Sequence, residues 1–279
     1  MKSQCLNSSF AIDSLRSPFG LLSVVCLAPL GSGFVIPMSL PRFHLPSPHW
    51  TGPHLTLTGD EAQHCSRVMR KQPGDTIEIF DGAGRVAVCE ITQVSKSEVQ
   101  AQIISESRVA PFQTAIHLLP ALIKAEPFEW LLEKAVELGA ASIQPIITER
   151  TVIHLDAAQI EKKLAKWRRH MIESAKQCHT PFVPELKAPI VFAASLKIQA
   201  DFKLIPALSE HTRTLKQALP ANKPASVAVL TGPEGDFTTE EEVQAFEAGF
   251  VPITLGPLVL RAETAAIATL AILGYELRS

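Results

Sequence analysis

Two short apolar runs near the end of the chain each finish in a glycine-bearing loop and lead into a helix. Val227 to Leu230 precedes Gly232-Pro-Glu-Gly235, and Ile253 to Leu255 precedes Gly256-Pro257, with Arg261, Glu263 and Thr264 following. Runs this short, apolar and bounded by turns read as buried parallel strands. Loops at the carboxyl ends of such strands frame a ligand crevice, and Gly232 and Gly235 let backbone approach a ligand closely. Thr238 with Glu241, or Thr239 with Glu242, forms a capping box that opens a helix, which Gly249 stops. Ala262 to Leu277 reads as a helix rich in Ala, Ile and Leu, with little charge until its end. Such a helix is buried in a core or in a subunit interface.

The same alternation extends upstream and argues for a parallel sheet with helices on both faces. Ala115 to Leu119 is a predicted strand. Pro127 marks the start of a helix that Gly139 stops. Ile143 to Ile147 is the next strand, 156–178 a long polar helix, and Phe202 to Ala207 a further strand. Residues 38–108 read differently. Leu55 to Leu57 leads into a helix from Asp60 to Lys71, Thr76 to Phe80 turns at Asp81-Gly82, and 86–91 and 99–104 continue with period two. Short strands at this spacing suggest a small β-barrel. The chain thus divides into 38–108 and 112–279, preceded by residues 1–37. That leading stretch holds an apolar segment from Phe19 to Leu30, too short for a membrane helix. It has some look of a signal peptide, but Asp13 interrupts its charged region. A second methionine at Met38, opening Met38-Ser-Leu-Pro-Arg-Phe43, points to a mis-called upstream start or a disordered extension.

These blocks together resemble the RsmE-type ribosomal RNA methyltransferases of the SPOUT class. Gly232-Pro-Glu-Gly235 coupled to Leu255-Gly-Pro and to Leu260-Arg-Ala-Glu-Thr-Ala265 carries most of the resemblance. Pro41-Arg-Phe43, 59–70, 74–82, 133–139 and Thr148-Glu-Arg-Thr151 extend it over about residues 38 to 279. Four positions depart from the family's usual pattern: Leu258 and Thr180 stand where Arg is common, Lys176 where Glu is, and Asp236 where Gly is.

The resemblance implies an α/β fold: a trefoil-knotted parallel sheet of the SPOUT class with an N-terminal PUA-like β-barrel that binds RNA. General topology rules disfavour knots, so that expectation rests on the resemblance alone. It also implies S-adenosyl-L-methionine as cofactor, held mainly by backbone, and N3 of a uridine in 16S rRNA of the small ribosomal subunit as methyl acceptor. By position the cofactor contacts are Leu208 and the loop after it, Gly232, Pro233, Glu234 and Gly235, then Leu255, Gly256, Leu260, Arg261 and Thr264. Arg261 is the candidate cation for a developing uracil anion. Glu263 reads either as the acceptor of the N3 proton or as a helix-capping carboxylate. A homodimer built on the last helix and a cytoplasmic location are further expectations.

Candidate RNA contacts are Arg42, His64, Arg67, Arg70, Lys71 and Arg85 on the first part, and Arg150, Lys166 and Arg169 on the second. Arg67 and Lys71, four apart, are expected on one helix face, and Lys166 and Arg169 belong to a denser run with Lys162, Lys163 and Arg168. Net charge is −2, so bulk charge does not point to nucleic acid, and recognition would need a local patch. The five cysteines are scattered without metal-ligand spacing, which fits a reducing compartment and no metal. No dinucleotide or nucleoside-triphosphate fingerprint is present. Two other readings fit these residues: a non-catalytic ribosome-assembly protein of the same fold, or a SPOUT enzyme acting on another RNA position. Mass spectrometry of the native N-terminus should find chains beginning at Met38, and a peptide from residues 1–37 in cells would refute that start.

Overall fold

Alternating apolar side chains build the first sheet, in which β1 (Arg42–His44), β2 (His54–Thr58), β3 (Thr76–Phe80), β4 (Arg85–Val94) and β5 (Glu98–Arg108) lie in the order β1-β3-β4-β5-β2. A computed structural model describes residues 40–153, 155–208 and 212–278, so the expectations for 1–37 and for the loop at 209–211 lie outside the described residues. The inward positions Leu55, Leu57, Ile77, Ile79, Ala87, Cys89, Ile91, Val99 and Ala101 are all buried in one cluster, as the two-residue period requires. Burial pushes the Cys65 thiol up to about 11 and the Cys89 thiol up to about 12, so both stay protonated.

The helix expected from Asp60 to Lys71 is shorter and less regular. Helix α1 (Gly59–Gln63) widens into a π turn over His64–Val68. Arg70 then takes a left-handed backbone with φ +52°. The wide turn keeps Cys65 buried and turns Val68 and Met69 out to solvent. It also breaks the expected alignment of Arg67 with Lys71, because a left-handed residue cannot continue the helix between them.

The second sheet has seven parallel strands. Its elements follow in chain order with their helices: β6 (Ala115–Pro120), α2 (Ala125–Glu137), β7 (Ser142–Ile143), β8 (Ile146–Ile147), α3 (Ala157–Cys178), β9 (Glu185–Leu186), β10 (Ile190–Val191), α4 (Phe192–Ser195), β11 (Phe202–Pro206), β12 (Arg213–Thr214), α5 (Leu215–Ala218), β13 (Ser226–Thr231), α6 (Thr239–Glu247), β14 (Val251–Thr254) and α7 (Ala262–Arg278). The order across the sheet is β12-β14-β11-β13-β6-β7-β9, and β8 pairs apart with β10. Strand β14 inserts late between β11 and β12, in keeping with the trefoil-knotted topology the resemblance implies.

Both faces of this sheet are covered. Ile116, Leu118, Val227 and Val229 face α2, α3 and α7, while Leu119, Ala228 and Leu230 face Phe192, Phe237 and Phe250. That explains why the strands read as continuous apolar runs. The run 143–147 proves to be two strands in two sheets, split around Pro145, which has no N–H for a ladder. Helix α2 starts two residues before Pro127, and the helix from Asp156 forms as expected, with the Asp156 side chain accepting from Gln159 N at 2.8 Å.

The two sheets meet through a charged and an apolar contact. Phe80 of β3 belongs to the core cluster of the seven-stranded sheet. Arg42 stacks over the Phe80 ring at 4.3 Å, donates through Nη1 to Ala175 O at 3.2 Å and pairs through Nε with Glu78 at 2.7 Å. Lys176, the family departure on α3, pairs with Glu61 at 2.9 Å and Glu173 at 2.6 Å. At the hairpin turn, Gly84 N donates to Pro181 O at 3.1 Å. Gly84 has φ +100°, and a Cβ there would fall 2.6 Å from Val109 O, so glycine is required. Arg42→Ala should lower stability by about 3 kcal/mol, since it leaves Ala175 O without its donor and the Phe80 ring without its stacked cation. Denaturant unfolding measures it, and a loss below about 1 kcal/mol would show that these contacts contribute little.

Candidate active site

Strands β14, β11, β13 and β6 are neighbours, so their carboxyl ends bring four loops together. Between them lies a cavity of about 660 Å³, within the usual range for small-molecule sites. The loop after β11 contributes Ala207 and Leu208. The loop after β13 contributes Gly232, Pro233, Glu234 and Asp236, and the loop after β14 contributes Leu255, Gly256, Leu258, Val259, Leu260 and Arg261. Glu263 and Ala265 of α7 and Lys124 and Pro127 beside β6 complete the wall. Gly256 has φ +124° and no atom within 4 Å of where a Cβ would stand, which leaves backbone open to the cavity.

Several hydrogen bonds hold the Gly232–Phe237 turn. Asp236 N donates to Pro233 O at 3.0 Å, and Asp236 Oδ1 accepts from Phe237 N at 2.8 Å. Asp236 itself has φ +61°, a backbone that suits the glycine common there in the family. Glu234 Oε1 accepts from Lys124 N at 3.2 Å, tying the turn to the loop after β6. Thr238 and Glu241 form the capping box of α6, so the alternative with Thr239 and Glu242 is not the one used. The second Glu241 oxygen accepts from Glu149 N at 2.9 Å, and Arg150 Nη1 donates to Gly235 O and Phe237 O at 2.8 and 3.0 Å.

Two charged groups in the cavity are left uncommitted. Glu263 is only 7% exposed, yet its carboxylate makes no hydrogen bond or ion pair among the described residues. Its side chain lines the cavity, so the carboxylate is free to meet a group that enters there. The Arg261 guanidinium, two residues earlier and exposed, is likewise without a protein partner there.

Of the cofactor positions expected from sequence, Leu208, Gly232, Pro233, Glu234, Leu255, Gly256, Leu260 and Arg261 line the cavity, and Gly235 and Thr264 do not. Gly235 faces the Arg150 side chain instead. Lys124 and Pro127 were missed, although a loop after a parallel strand is where such wall residues arise. Leu258, the departure from Arg, is 76% exposed at the rim beside Val259.

The expected RNA-facing residues do not form one surface. Arg42 is buried and committed inside the protein, so it is withdrawn from that set. Arg85 pairs with Glu106 at 2.6 Å and stacks over Trp50 at 4.5 Å. Lys71 reaches Asp75 at 3.9 Å, Lys166 reaches Glu129 at 2.5 Å and Arg169 reaches Asp60 at 3.6 Å. His64 packs edge-on against Phe43 at 5.7 Å. Arg67 and Arg70 remain exposed, with no side-chain partner among the described residues. No group of three or more His, Cys, Asp or Glu side chains that could hold a metal occurs among those residues. No helix among them is long and apolar enough to cross a membrane.

A parallel sheet with a backbone-lined cavity at its strand ends, joined to a small PUA-like sheet, defines an RNA methyltransferase. Residues 110–274 match the family described as RNA methyltransferase domain, and 57–104 match the RNA methyltransferase PUA domain. A Bacillus subtilis protein named ribosomal RNA small subunit methyltransferase E is 31% identical over 236 residues, covering 80% of this chain and 91% of that one. A Neisseria gonorrhoeae structure of the same name, bound to S-adenosyl methionine, superposes with a TM-score of 0.76 at 33% identity, covering 84% of this chain and 96% of its own. A Legionella pneumophila methyltransferase solved with bound cofactor SAM superposes at 0.79 and 33% identity, over 85% of this chain and 97% of that one. The chain belongs to the ribosomal RNA small subunit methyltransferase E family.

The turn geometry is directly testable. At Gly232 a Cβ would stand 3.0 Å from Asp236 Oδ1 and 3.3 Å from the Phe237 ring. Gly232→Ala should therefore cost about 1 kcal/mol through crowding, read by denaturant unfolding, and a neutral substitution would show that the turn yields freely.

Proposed function

We propose that this protein uses S-adenosylmethionine to methylate N3 of a specific uridine in 16S rRNA of the small ribosomal subunit. The observation that carries the reading is Glu263, an acid without a protein partner among the described residues, in a cavity shared with Arg261. The cavity also fits the cofactor. Its volume of about 660 Å³ suits a nucleoside-sized ligand. Its walls are largely backbone and aliphatic, matching an adenine and its ribose, and an unpartnered carboxylate suits a ligand that bears positive charge.

S-adenosylmethionine supplies, when bound, an electrophilic methyl group on a positively charged sulfur. Uracil N3 carries a proton at neutral pH and must lose it before or during attack on the methyl carbon. Glu263 accepts that proton, as the cavity carboxylate left uncommitted among the described residues; Glu234 and Asp236 each already accept a backbone N–H. Arg261 stabilises the negative charge that develops on the ring as the proton leaves. The four loops hold the two reactants in line, so that orientation supplies much of the rate.

Arg67 and Arg70 are the cations best placed to meet RNA phosphate, beside exposed Val68 and Met69, which offer apolar surface to an unstacked base. The exposed aliphatic residues Leu258, Val259 and Ile272 fit a homodimer contact through the rim and α7. A cytoplasmic location follows from the ribosomal substrate and agrees with the free thiols of Cys65, Cys89 and Cys178. We assign residues 38–108 to RNA binding and 112–279 to catalysis.

Methyl transfer from labelled donor to small subunits lacking the modification should yield 3-methyluridine in the digested RNA. A different methylated nucleoside would move the substrate, and no donor binding would leave a non-catalytic RNA-binding protein. Glu263→Gln should lower kcat by about 10²-fold, the usual contribution of a positioned base, with donor affinity nearly kept. Its rate should rise with pH as hydroxide replaces the lost base; a pH-independent rate would remove Glu263 from that role.

A further inference from the structure

Beside the Gly232–Phe237 turn, but outside the cavity wall, lies a second turn from which the Arg150 side chain reaches across. Strand β8 ends at Ile147, and Thr148–Thr151 closes on itself. Thr151 N donates to Thr148 O at 3.2 Å, Thr148 N donates to Thr151 Oγ1 at 2.9 Å, and the two hydroxyls lie 2.9 Å apart. Both threonines are buried, so the turn is a rigid base. Its tip presents Glu149 and Arg150.

Arg150 does not line the cavity. Its Nη1 donates to Gly235 O at 2.8 Å and to Phe237 O at 3.0 Å, the two carbonyls that flank the left-handed Asp236. Its aliphatic stem lies against Gly235, whose Cβ position is 3.5 Å from both Cβ and Cδ of Arg150. Glu149 N adds a third tie, to Glu241 Oε1 at 2.9 Å, and so joins the turn to the capping box of α6. Charge-assisted hydrogen bonds of this kind are about twice as strong as neutral ones. Burial, and next to it Asp236, hold the Glu242 carboxyl above its usual range, and Arg150 opposes them, which places this cation among the acids of the loop.

β8 is not a strand of the seven-stranded sheet. It pairs with β10 and is bridged at Ile146 to Ala121, just past β6, so the Gly232–Phe237 turn is gripped by a neighbouring segment outside the cavity lining. We infer that Arg150 is a positioning residue: its guanidinium fixes the Gly235 and Phe237 carbonyls, and through them the turn that receives the methyl donor. The inference rests on the cofactor reading proposed above. It also redirects Arg150 away from RNA, because the guanidinium is spent on two protein carbonyls.

The test uses the full chain as wild type, Arg150→Ala and Arg150→Lys. Hydrogen exchange in the ligand-free protein reads the loop, calorimetry reads donor affinity, and salt-dependent RNA binding reads the alternative. For Arg150→Ala we expect exchange over residues 232–238 to quicken about tenfold while the first sheet is unchanged. Donor Kd should weaken about tenfold, kcat at saturating donor should stay within about twofold, and the salt slope of RNA binding should not move. Lysine keeps the charge on a shorter, more flexible stem, so Arg150→Lys should fall between. Weaker RNA binding with a salt slope reduced by about one, and donor affinity kept, would make Arg150 a phosphate contact and overturn the proposal. Unchanged exchange, or exchange quickened evenly over the whole chain, would overturn it too. A wild type that binds no donor would remove the functional reading and with it any cofactor role for Arg150, whereas a donor-binding wild type with an unaffected Arg150→Ala removes the inference alone.

Discussion

The ladder between β13 and β6 carries the architecture of the second sheet. Six residue pairs, from Ser226 with Ala115 to Thr231 with Pro120, hold the two strands parallel and in register. Because the strands are parallel, their carboxyl ends lie on one edge, and every loop leaving that edge competes for the same space. β11 and β14 add to this pair and bring their loops to the same side. The cavity is a geometric result of that alignment. Its floor is Thr231 and Ile253, its walls are turns, and its buried carboxylate arrives on the first turn of α7.

That arrangement also explains how charge is distributed. Most cations that a sequence reader would offer to RNA are committed within the protein: Arg42 between the sheets, Arg85 to Glu106, Lys166 to Glu129 and Arg150 to the cofactor loop. Exposed pairs such as Lys166 with Glu129 contribute little to stability and can open. Buried Arg42 is different, since without it the Ala175 carbonyl between the sheets would lose its donor. With a net charge of −2, the protein relies on a few uncommitted groups, and the site shows the same economy in Arg261 and Glu263.

The fold was legible where structure is local. The capping box that opens α6, the helix stop at Gly249, and the apolar runs of β6, β11 and β13 follow from residues within a few positions of one another. The loops around Gly232 and Gly256 were legible for the same reason. Strands of two residues, such as β9, β10 and β12, carry too few positions to show a period, and they form only because a neighbouring strand offers a ladder. The π turn after α1 was also hidden, since it depends on burying Cys65 while the chain bends away.

The sequence by itself determined a parallel α/β sheet, a small β sheet before it, and two glycine loops at the ends of its strands, because short-range chemistry dictates those features. Tertiary structure alone decided the rest. It showed Lys124 and Pro127 to be cavity wall, left Glu263 buried without a partner, and turned Arg150 from solvent toward Gly235 and Phe237. Each of those outcomes depends on residues far apart in the chain, whose distances are set only when the sheet closes its order.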